Sequence, residues 1–488
     1  MVRVIRSTKI TPASSTSVTT PQQADTKTLI DFISASLTST GQEEYYNTAQ
    51  EQKKALLQTH KPILEKYREF YALLLVSTIN DINKQIIVMN VLKCGKDVDN
   101  SVKEYENNLI LQALTNMQTN RAYQTLELLA ENKVNNKRTR DLVRRFLESR
   151  KNYKYEFVKY KAKVKKIVTH NHLYKKNEIW DFLFDKKKEF NDDLLSNYVK
   201  ARTDKEAVYK LPYSIAEGFA AFHKIERKEF LEKIKDKMTD SEKQRVSTSA
   251  KELGVNVEAD WTQGDLRKIL IYLYSLDRTP PNMKEILEQK AKREAERIPY
   301  KYGKVVVIVD NSASSYGSEE KKYHPIASEL ANAYILKELS QDFTILFTNP
   351  DYQGDRHIPQ VGGETNLVVP LVKALSLKPD AIFILSDGYE NVVAGAVAQT
   401  INAFKRQLDT ENKTMIIQLS SVFAAEAHTV RQLTELVPNV GIRDSGQLFG
   451  ALLLSTMAFK KEETLLQFVD YLKAKVKQIE YKTYLLEE

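Results

Sequence analysis

The sequence predicts a multidomain chain in which an all-α, HEAT-like helical repeat region precedes an α/β doubly wound (Rossmann-like) domain. Between about Thr26 and Leu276 glycine and proline are scarce, and leucine, isoleucine and aromatic residues recur at intervals of three and four. That spacing is typical of uninterrupted helices. After Gly303 the pattern changes to short, continuous apolar runs that alternate with helical patterns. Such runs indicate a parallel sheet covered by helices on both faces.

Composition and chain breakers set the domain boundaries. Residues 1–25 are rich in serine and threonine, so we expect a disordered tail there and not an organelle transit peptide. Helix pairs of about 40 residues would suit an α-solenoid, although no repeated sequence signature is present. The prolines that follow Arg278 break the helical pattern. The predicted organisation is a tail at 1–25, a helical region at 26–279, a connector at 280–303, an α/β domain at 304–460 and a C-terminal helix at 461–488.

Four apolar runs rich in β-branched residues predict the strands of the sheet. They are Lys304–Asp310, Asp342–Thr348, Ala381–Asp387 and Lys413–Leu419. Helical patterns lie between them at Pro325–Leu339, Leu367–Leu375 and Val392–Leu408. In a sheet of this kind we expect functional residues at the carboxyl ends of the strands.

The composition excludes several classes of protein. Apolar residues make up 42% of the 488 residues and charged residues 28%, which excludes a wholly disordered chain. No apolar run is long enough to span a membrane, so we expect no membrane association. A single cysteine, Cys94, excludes an intramolecular disulfide framework and a thiolate-rich zinc site. We therefore expect a protein of a reducing compartment, the cytoplasm.

Positive charge is concentrated in one segment. Residues Lys133 to Lys176 contain 16 lysines and arginines against three acids, a local net charge of +13 in a chain whose total is +9. Two amphipathic helices with cationic outer faces account for most of it. Such a cluster suits a polyanion such as RNA, and the alternative is an ordinary solvated helical face. The candidate RNA-binding residues are Lys137, Arg138, Arg140, Arg144, Arg145, Lys159, Lys161, Lys163, Lys165, Lys166, His170 and His172.

Oxygen-bearing side chains follow the predicted strands. Asp310 and Asp387 each end an apolar run, Ser312 and Ser314 follow Asp310 at alternate positions, and Thr365 lies in a glycine-rich loop. One or two carboxylates together with several hydroxyls suit a hard divalent cation, Mg²⁺ above all, with Mn²⁺ or Ca²⁺ as alternatives. Each residue taken alone would also serve as a helix cap or a turn residue.

The pattern Asp310-x-Ser312-x-Ser314, then Thr365, then Asp387-Gly388 resembles the metal-ion-dependent adhesion site of von Willebrand factor A domains. That resemblance implies that all five residues contact the cation directly or through water. A helical region fused to such a domain resembles the TROVE-domain proteins, the Ro ribonucleoprotein family. In the helical half the resemblance rests on residues 135–140, 158–161 and 170–173. It implies binding of small non-coding RNA by the helical region and of another ligand at the cation.

The expected function is that of a non-enzymatic, RNA-binding scaffold whose A domain binds an acidic group of a partner through the cation. The alternative is a protein-interaction adaptor that binds no nucleic acid. No Gly-x-Gly-x-x-Gly turn, Gly-Lys-Ser/Thr phosphate loop or Gly-x-Ser-x-Gly elbow is present in the α/β part. Metal-dependent hydrolysis is disfavoured because no histidine accompanies the carboxylates. For His170 and His172 a structural or nucleic-acid contact is favoured over zinc.

Overall fold

The fold is taken from a computed structural model of the chain. The structure describes residues 4–9, 28–29, 32–33, 36, 49–77, 79, 81–95, 98–260, 264–276, 282–296, 298, 301–317, 322–350, 358–421, 432–442, 448, 452, 461–476 and 480–484. A helical part comes first and an α/β part follows, as the change of period predicts. Among these residues no helix is both long enough and apolar enough to cross a bilayer.

The helical part consists of amphipathic helices joined by short connections. Its helices are α1 (Ala49–Lys66), α2 (Arg68–Leu73), α3 (Asp81–Lys93), α4 (Asn100–Asn116), α5 (Thr119–Glu131), α6 (Lys137–Glu148), α7 (Tyr153–Lys159), α8 (Lys161–His170), α9 (Glu178–Leu183), α10 (Asp193–Lys200), α11 (Lys205–Val208), α12 (Tyr213–Phe222), α13 (Arg227–Ile234), α14 (Asp240–Glu252), α15 (Leu266–Tyr274) and α16 (Met283–Ala295). Side-chain caps fix several starts. Asn136 accepts a hydrogen bond from the backbone of Thr139 at the start of α6, and Thr239 and Glu242 form a capping box at α14.

The α/β part contains a five-stranded parallel sheet in the order β3-β2-β4-β5-β6. Its elements are β2 (Tyr302–Val309), α17 (His324–Glu338), β3 (Ser340–Phe347), α18 (Val368–Ser376), β4 (Ala381–Leu385), α19 (Ala396–Gln407), β5 (Met415–Ser421) and β6 (Asn439–Ile442). Val305, Val307 and Val309 face one apolar core, whereas Val306 and Ile308 face a second core with α18 and α19. Both faces of the sheet are therefore buried, which explains the continuous apolar strands.

The two parts share one hydrophobic core. Helices α15 and α16 pack against α17, which also lies on the sheet. The ring of Tyr274 stacks on that of Tyr323 with centroids 4.9 Å apart, and the Tyr274 hydroxyl donates to the carbonyl of Pro359 at 2.7 Å. The stretch 280–303, which we predicted to be a connector, thus contains a packed helix.

Both terminal predictions need correction. Residues Val4–Lys9, predicted to lie in a disordered tail, form the strand β1. The C-terminal helix, predicted for 461–488, is α20 (Lys461–Lys475) and is followed by the strand β7 (Glu480–Tyr484). β1 and β7 pair in antiparallel register, and α20 packs against α2. The two ends of the described chain therefore meet, and the strand pairing supplies the backbone hydrogen bonds that a lone strand lacks.

Hydrogen bonds to a buried histidine on α1 determine which of its ring nitrogens carries the proton. His60 lies 2.7 Å from the Tyr71 hydroxyl through Nδ1 and 2.8 Å from Asn83 Oδ1 through Nε2. Because the Asn83 amide nitrogen donates to the carbonyl of Ser36, Oδ1 accepts and Nε2 of His60 carries the proton. Nδ1 then accepts from Tyr71, whose oxygen receives a further bond from Asn90. Both ring nitrogens are satisfied only in the neutral state.

We expect the free energy of unfolding to fall by about 3 kcal/mol as the pH falls from 6.5 to 4, on account of His60. Burial lowers the pKa of His60 from 6.5 to about 4. Between these values the unfolded chain binds a proton that the folded chain does not, so this stabilising contribution is present above pH 6.5 and is lost on acidification. Urea denaturation of the wild type and of His60→Gln at several pH values measures it. Parallel pH profiles for the two proteins would contradict the prediction.

Candidate metal centre and nucleic-acid interface

The candidate metal centre lies at the carboxyl edge of the sheet. Asp310 comes directly after β2, and Thr348 directly after β3. Val309 pairs with Phe347 on one side and with Leu385 of β4 on the other, so Asp387 follows at the same edge. The parallel register therefore gathers residues that are far apart in the sequence.

The structure brings the five predicted ligands together. Oδ1 of Asp310 accepts from the backbone nitrogen of Ser312 at 3.1 Å. The hydroxyl of Ser312 lies 3.1 Å from that of Ser314 and accepts from the hydroxyl of Thr365 at 2.9 Å. Asp310, Ser312 and Thr365 are buried, whereas Ser314 is exposed. Asp387 is half-buried, and its charge acts on Asp310. One side of the cluster is thus open to a ligand.

Backbone and amide contacts hold the glycine-rich loop against this cluster. The side-chain amide of Asn349 donates to the carbonyls of Gly362 and Glu364, and the backbone nitrogen of Ala313 donates to the carbonyl of Gly363. Gly363 has φ of +80°, and a Cβ there would lie 2.9 Å from Asn349 Oδ1. Glycine is therefore required at 363 both for the left-handed backbone and for the close approach. Thr365 is fixed by the loop that these contacts shape.

Carboxyl groups at the cluster are buried close to one another. Burial raises the pKa of Asp310, and the charge of Asp387 acts in the same direction. Burial raises the pKa of Glu329, on α17, well above its ordinary value, with further contributions from Asp310 and Asp387. Within the described part of the chain the Asp310 carboxylate accepts only from hydroxyl and backbone donors, at Ser386, Thr348 and Ser312. Burial disfavours the charged form of these carboxyl groups, and a bound cation would favour it.

The donor set fits a hard divalent cation better than zinc. Its atoms are carboxylate and hydroxyl oxygens, which Mg²⁺ and Mn²⁺ prefer, with no imidazole or thiolate among them. No set of three histidines, cysteines, aspartates or glutamates converges anywhere in the described ranges, so the hydroxyls are essential to the fit. Asp310, Ser312, Ser314, Thr365 and Asp387 are the residues that would hold the ion. When bound, such an ion offers an open coordination position to a carboxylate or phosphate.

The basic segment needs one clear correction. Arg138, predicted to bind RNA, is turned inward: its Nη2 donates to Glu106 Oε2 at 2.9 Å, and its Nε donates to Asn107 at 2.7 Å. Glu106 is fully buried and also accepts from Arg68 Nε at 2.7 Å. The guanidinium of Arg138 therefore stabilises the packing of α6 against α4, and only 13% of the side chain is exposed.

Other predicted cations form ion pairs at the surface. Arg144 and Arg145 pair with Asp141, and Arg144 also pairs with Glu148. Lys161 and Lys165 pair with Asp185, and Lys166 pairs with Glu127 and Glu131. Pairs between exposed side chains are worth little individually, so most of these cations remain available to phosphate at modest cost, whereas the Lys161 side chain is only 15% exposed. Asp185, Glu127 and Glu131 lie outside the segment in sequence, so the positive field at its surface is smaller than the count of +13 suggests.

Several cations of the segment keep their charge uncompensated among the described residues. Lys163 donates to the neutral Asn120, and Lys159 donates to the Tyr155 hydroxyl. His170 lies 3.4 Å from the carbonyl of Val134. Seven cations of the segment are exposed or half-exposed and form no ion pair with a described residue. They are Lys133, Lys137, Arg140, Lys151, Lys159, Lys163 and Lys176. His172 is exposed with Nε2 3.5 Å from the amide nitrogen of Asn135.

Comparison with solved structures finds a fold likeness, whereas the sequence comparisons find nothing. No family model matches the chain, and no curated protein matches it. The chain is similar to the crystal structure of the Deinococcus radiodurans RO (RSR) protein, with a TM-score of 0.49 and 12% sequence identity. The alignment covers 90% of this chain and 100% of that one. At this level of similarity no ligand, activity or residue role passes from one protein to the other.

Three residues of the metal centre escape the sequence pattern. Ser386 donates to Asp310 Oδ2 at 2.8 Å, Thr348 donates to Oδ1 at 3.2 Å, and Glu329 lies fully buried below. Ser386 and Thr348 carry a usable signal, because each is a hydroxyl residue at the carboxyl end of a predicted strand. Glu329 carries another, because it is an acid within a run of α17 that is buried on all sides.

Proposed function

We propose that the chain is a non-enzymatic, cytoplasmic RNA-binding scaffold with a TROVE-like, HEAT-type helical region and a von Willebrand factor A domain. Small non-coding RNA binds the basic segment Lys133–Lys176. The A domain binds a divalent cation through Asp310, Ser312, Ser314, Thr365 and Asp387, and through it an acidic group of a partner. The observation that supports RNA binding is the set of cations on α6 to α8 that have no acidic partner among the described residues. Positive charge that no nearby acid neutralises attracts the phosphates of RNA.

A charge-reversal experiment tests the RNA half. In the full chain, Lys133, Lys137, Arg140 and Lys176 are changed to glutamate, which leaves the buried Arg138 intact. We expect binding of a fluorescent single-stranded RNA to weaken, and the slope of log affinity against log salt to fall by about 3, since each lost phosphate contact removes about 0.7. Fluorescence anisotropy at several salt concentrations provides the measurement.

The matched control reverses four exposed lysines outside the segment. Its positions are Lys268, Lys284, Lys292 and Lys373, each exposed. The change in net charge is the same, so a non-specific field effect would weaken both variants equally. If both variants kept the affinity and salt slope of the wild type, or lost them to the same extent, the RNA half of the proposal would be wrong. The chain would then be better described as an adaptor between proteins.

The surroundings of the cation centre support a protein partner at the A domain. Val369 and Val393 expose 65% and 70% of their surface. Both lie close to Thr365. Val369 is the second residue of α18, four positions after Thr365, and the backbone of Val392, next to Val393, donates to the carbonyl of Thr365 at 3.3 Å. Apolar side chains beside an open cation site suit a ligand that presents a carboxylate with an apolar neighbour. This surface favours a protein over a second nucleic acid at that end of the molecule.

A further inference from the structure

A cavity of about 580 Å³ lies between α7, α10 and α12, next to the basic segment. Its wall includes Lys159 at the end of α7, Tyr198 and Arg202 at the end of α10, and Gly218, Phe219 and Phe222 on α12. The volume lies within the range of pockets that hold small organic ligands. Only Lys159 among these residues is a candidate from the sequence pattern.

Aromatic rings form one side of this cavity. Phe222 lies in this wall and exposes 68% of its surface. Phe219 and Tyr198 are only partly buried, and they pack edge to face with centroids 5.1 Å apart. The Phe219–Tyr198 contact fixes the wall. Phe222 meets the ring of His223 edge to face, with centroids 5.1 Å apart, and keeps most of its surface open to a planar ligand. Rings presented in this way stack on nucleobases of any sequence.

Two cations stand at the same cavity. Lys159 is exposed, donates to the Tyr155 hydroxyl at 3.2 Å and feels the charge of Glu242. Arg202 keeps 53% of its side chain exposed and lies 4.0 Å from Asp185. Glu242 does not hold the Lys159 ammonium in a close ion pair, and Asp185 does not hold the Arg202 guanidinium in one. Each cation can therefore turn toward a phosphate at little cost in free energy.

Gly218 contributes no side chain to the wall of the cavity. It lies in the interior of α12, where glycine is about 1 kcal/mol less favourable than alanine. A Cβ at 218 would meet no atom within 4 Å, and the backbone does not have a positive φ there. Neither packing nor conformation therefore requires glycine at this position. Its absent side chain widens the cavity and exposes the helix backbone to whatever lies inside.

We propose that this cavity takes one nucleotide of a single-stranded RNA, with its base against Phe222 and Phe219 and its phosphate between Lys159 and Arg202. The proposal rests on the proposed RNA-binding function and adds a site to it. Aromatic faces beside two cations match the two chemical halves of a nucleotide, since the rings stack on the planar base and the cations bind the phosphate, whereas a peptide of aspartates and glutamates would leave the rings without a planar partner. The cavity fixes a single base, and the basic segment holds the phosphates of the flanking chain.

Phe222→Ala in the full chain tests the site without changing charge. We expect its affinity for a fluorescent single-stranded RNA to fall roughly 5- to 150-fold, the loss of one stacked base, with the salt slope unchanged. Phe222→Trp keeps a stacking face and should retain the affinity of the wild type. Gly218→Glu should also weaken binding, because it places a carboxylate inside the cavity, whereas Gly218→Ala should bind nearly as the wild type does.

The outcomes separate the two proposals. If the wild type binds RNA but Phe222→Ala and Gly218→Glu bind equally well, the cavity is not a nucleotide site, and the basic segment still is the binding surface. If the wild type binds no RNA, the proposed function fails and the nucleotide site fails with it. The affinities are compared only if the wild type and Phe222→Ala unfold at the same urea concentration. We expect equal midpoints because the ring of Phe222 is exposed.

Discussion

Replacing Glu106 with glutamine is expected to lower the free energy of unfolding by about 3–5 kcal/mol. Glu106 is fully buried on α4 and receives Arg68 Nε at 2.7 Å and Arg138 Nη2 at 2.9 Å. A glutamine has nearly the same shape but carries no charge, so two largely buried guanidinium groups would lose their counter-charge. Breaking a buried ion pair by removing one partner is costly because the other charge stays desolvated. Urea denaturation measures the change.

Glu104→Gln is the matched control, since Glu104 lies on the same helix but is exposed. Its effect should stay within about 0.5 kcal/mol. Equal stability of the two variants would mean that the cluster of Arg68, Glu106 and Arg138 contributes nothing to the fold. The same cluster predicts that Arg138→Glu unfolds the chain, so a loss of RNA binding in that variant would report on folding and not on recognition.

The error at Arg138 shows what a helical pattern leaves undetermined. The pattern correctly places Leu142, Phe146 and Leu147 on the buried face of α6. An arginine at the start of that helix falls between the two faces, and its side chain is long enough to reach either solvent or a neighbouring helix. Its direction is decided by Glu106, which lies 32 positions earlier on α4. A contact of that kind is absent from any local window of sequence.

The sheet and the clustering of the five candidate ligands were more predictable because their signals are local. Asp310, Ser312 and Ser314 lie within one loop, and the buried strands are marked by unbroken apolar runs. The strand β6 was missed because it has only four residues and contains Gly441, which weakens any strand signal. The pairing of β1 with β7 joins opposite ends of the described chain, and the local pattern of apolar residues cannot indicate such a pairing. The aromatic cavity was missed for a similar reason, since three helices contribute to it.

The candidate metal centre gives the second large expected effect. With Mg²⁺ or Mn²⁺ at about 100 times its dissociation constant, the free energy of unfolding of the wild type should rise by about 2.7 kcal/mol, because the ion binds only the folded chain. Asp310→Asn should show no such rise, since it removes the most deeply buried carboxylate of the set. Without divalent cations the same variant should be at least as stable as the wild type. It relieves a buried negative charge that lies near Asp387 and Glu329.

That opposite sign distinguishes a cation site from a structural hydrogen-bond cluster. If Asp310 only braced Ser312, Thr348 and Ser386, asparagine would lose contacts and destabilise the chain whether or not the ion were present. Asp342→Asn is the control for weak surface binding of the ion, because its side chain is 63% exposed on β3. The unfolding free energy of Asp342→Asn should respond to Mg²⁺ as that of the wild type does.

Calorimetric titration with Mn²⁺ gives the stoichiometry of ion binding directly. An equal response of the wild type and Asp310→Asn would refute the site. A destabilised Asp310→Asn in the absence of the ion would instead assign these oxygens to the support of the loop that follows β2.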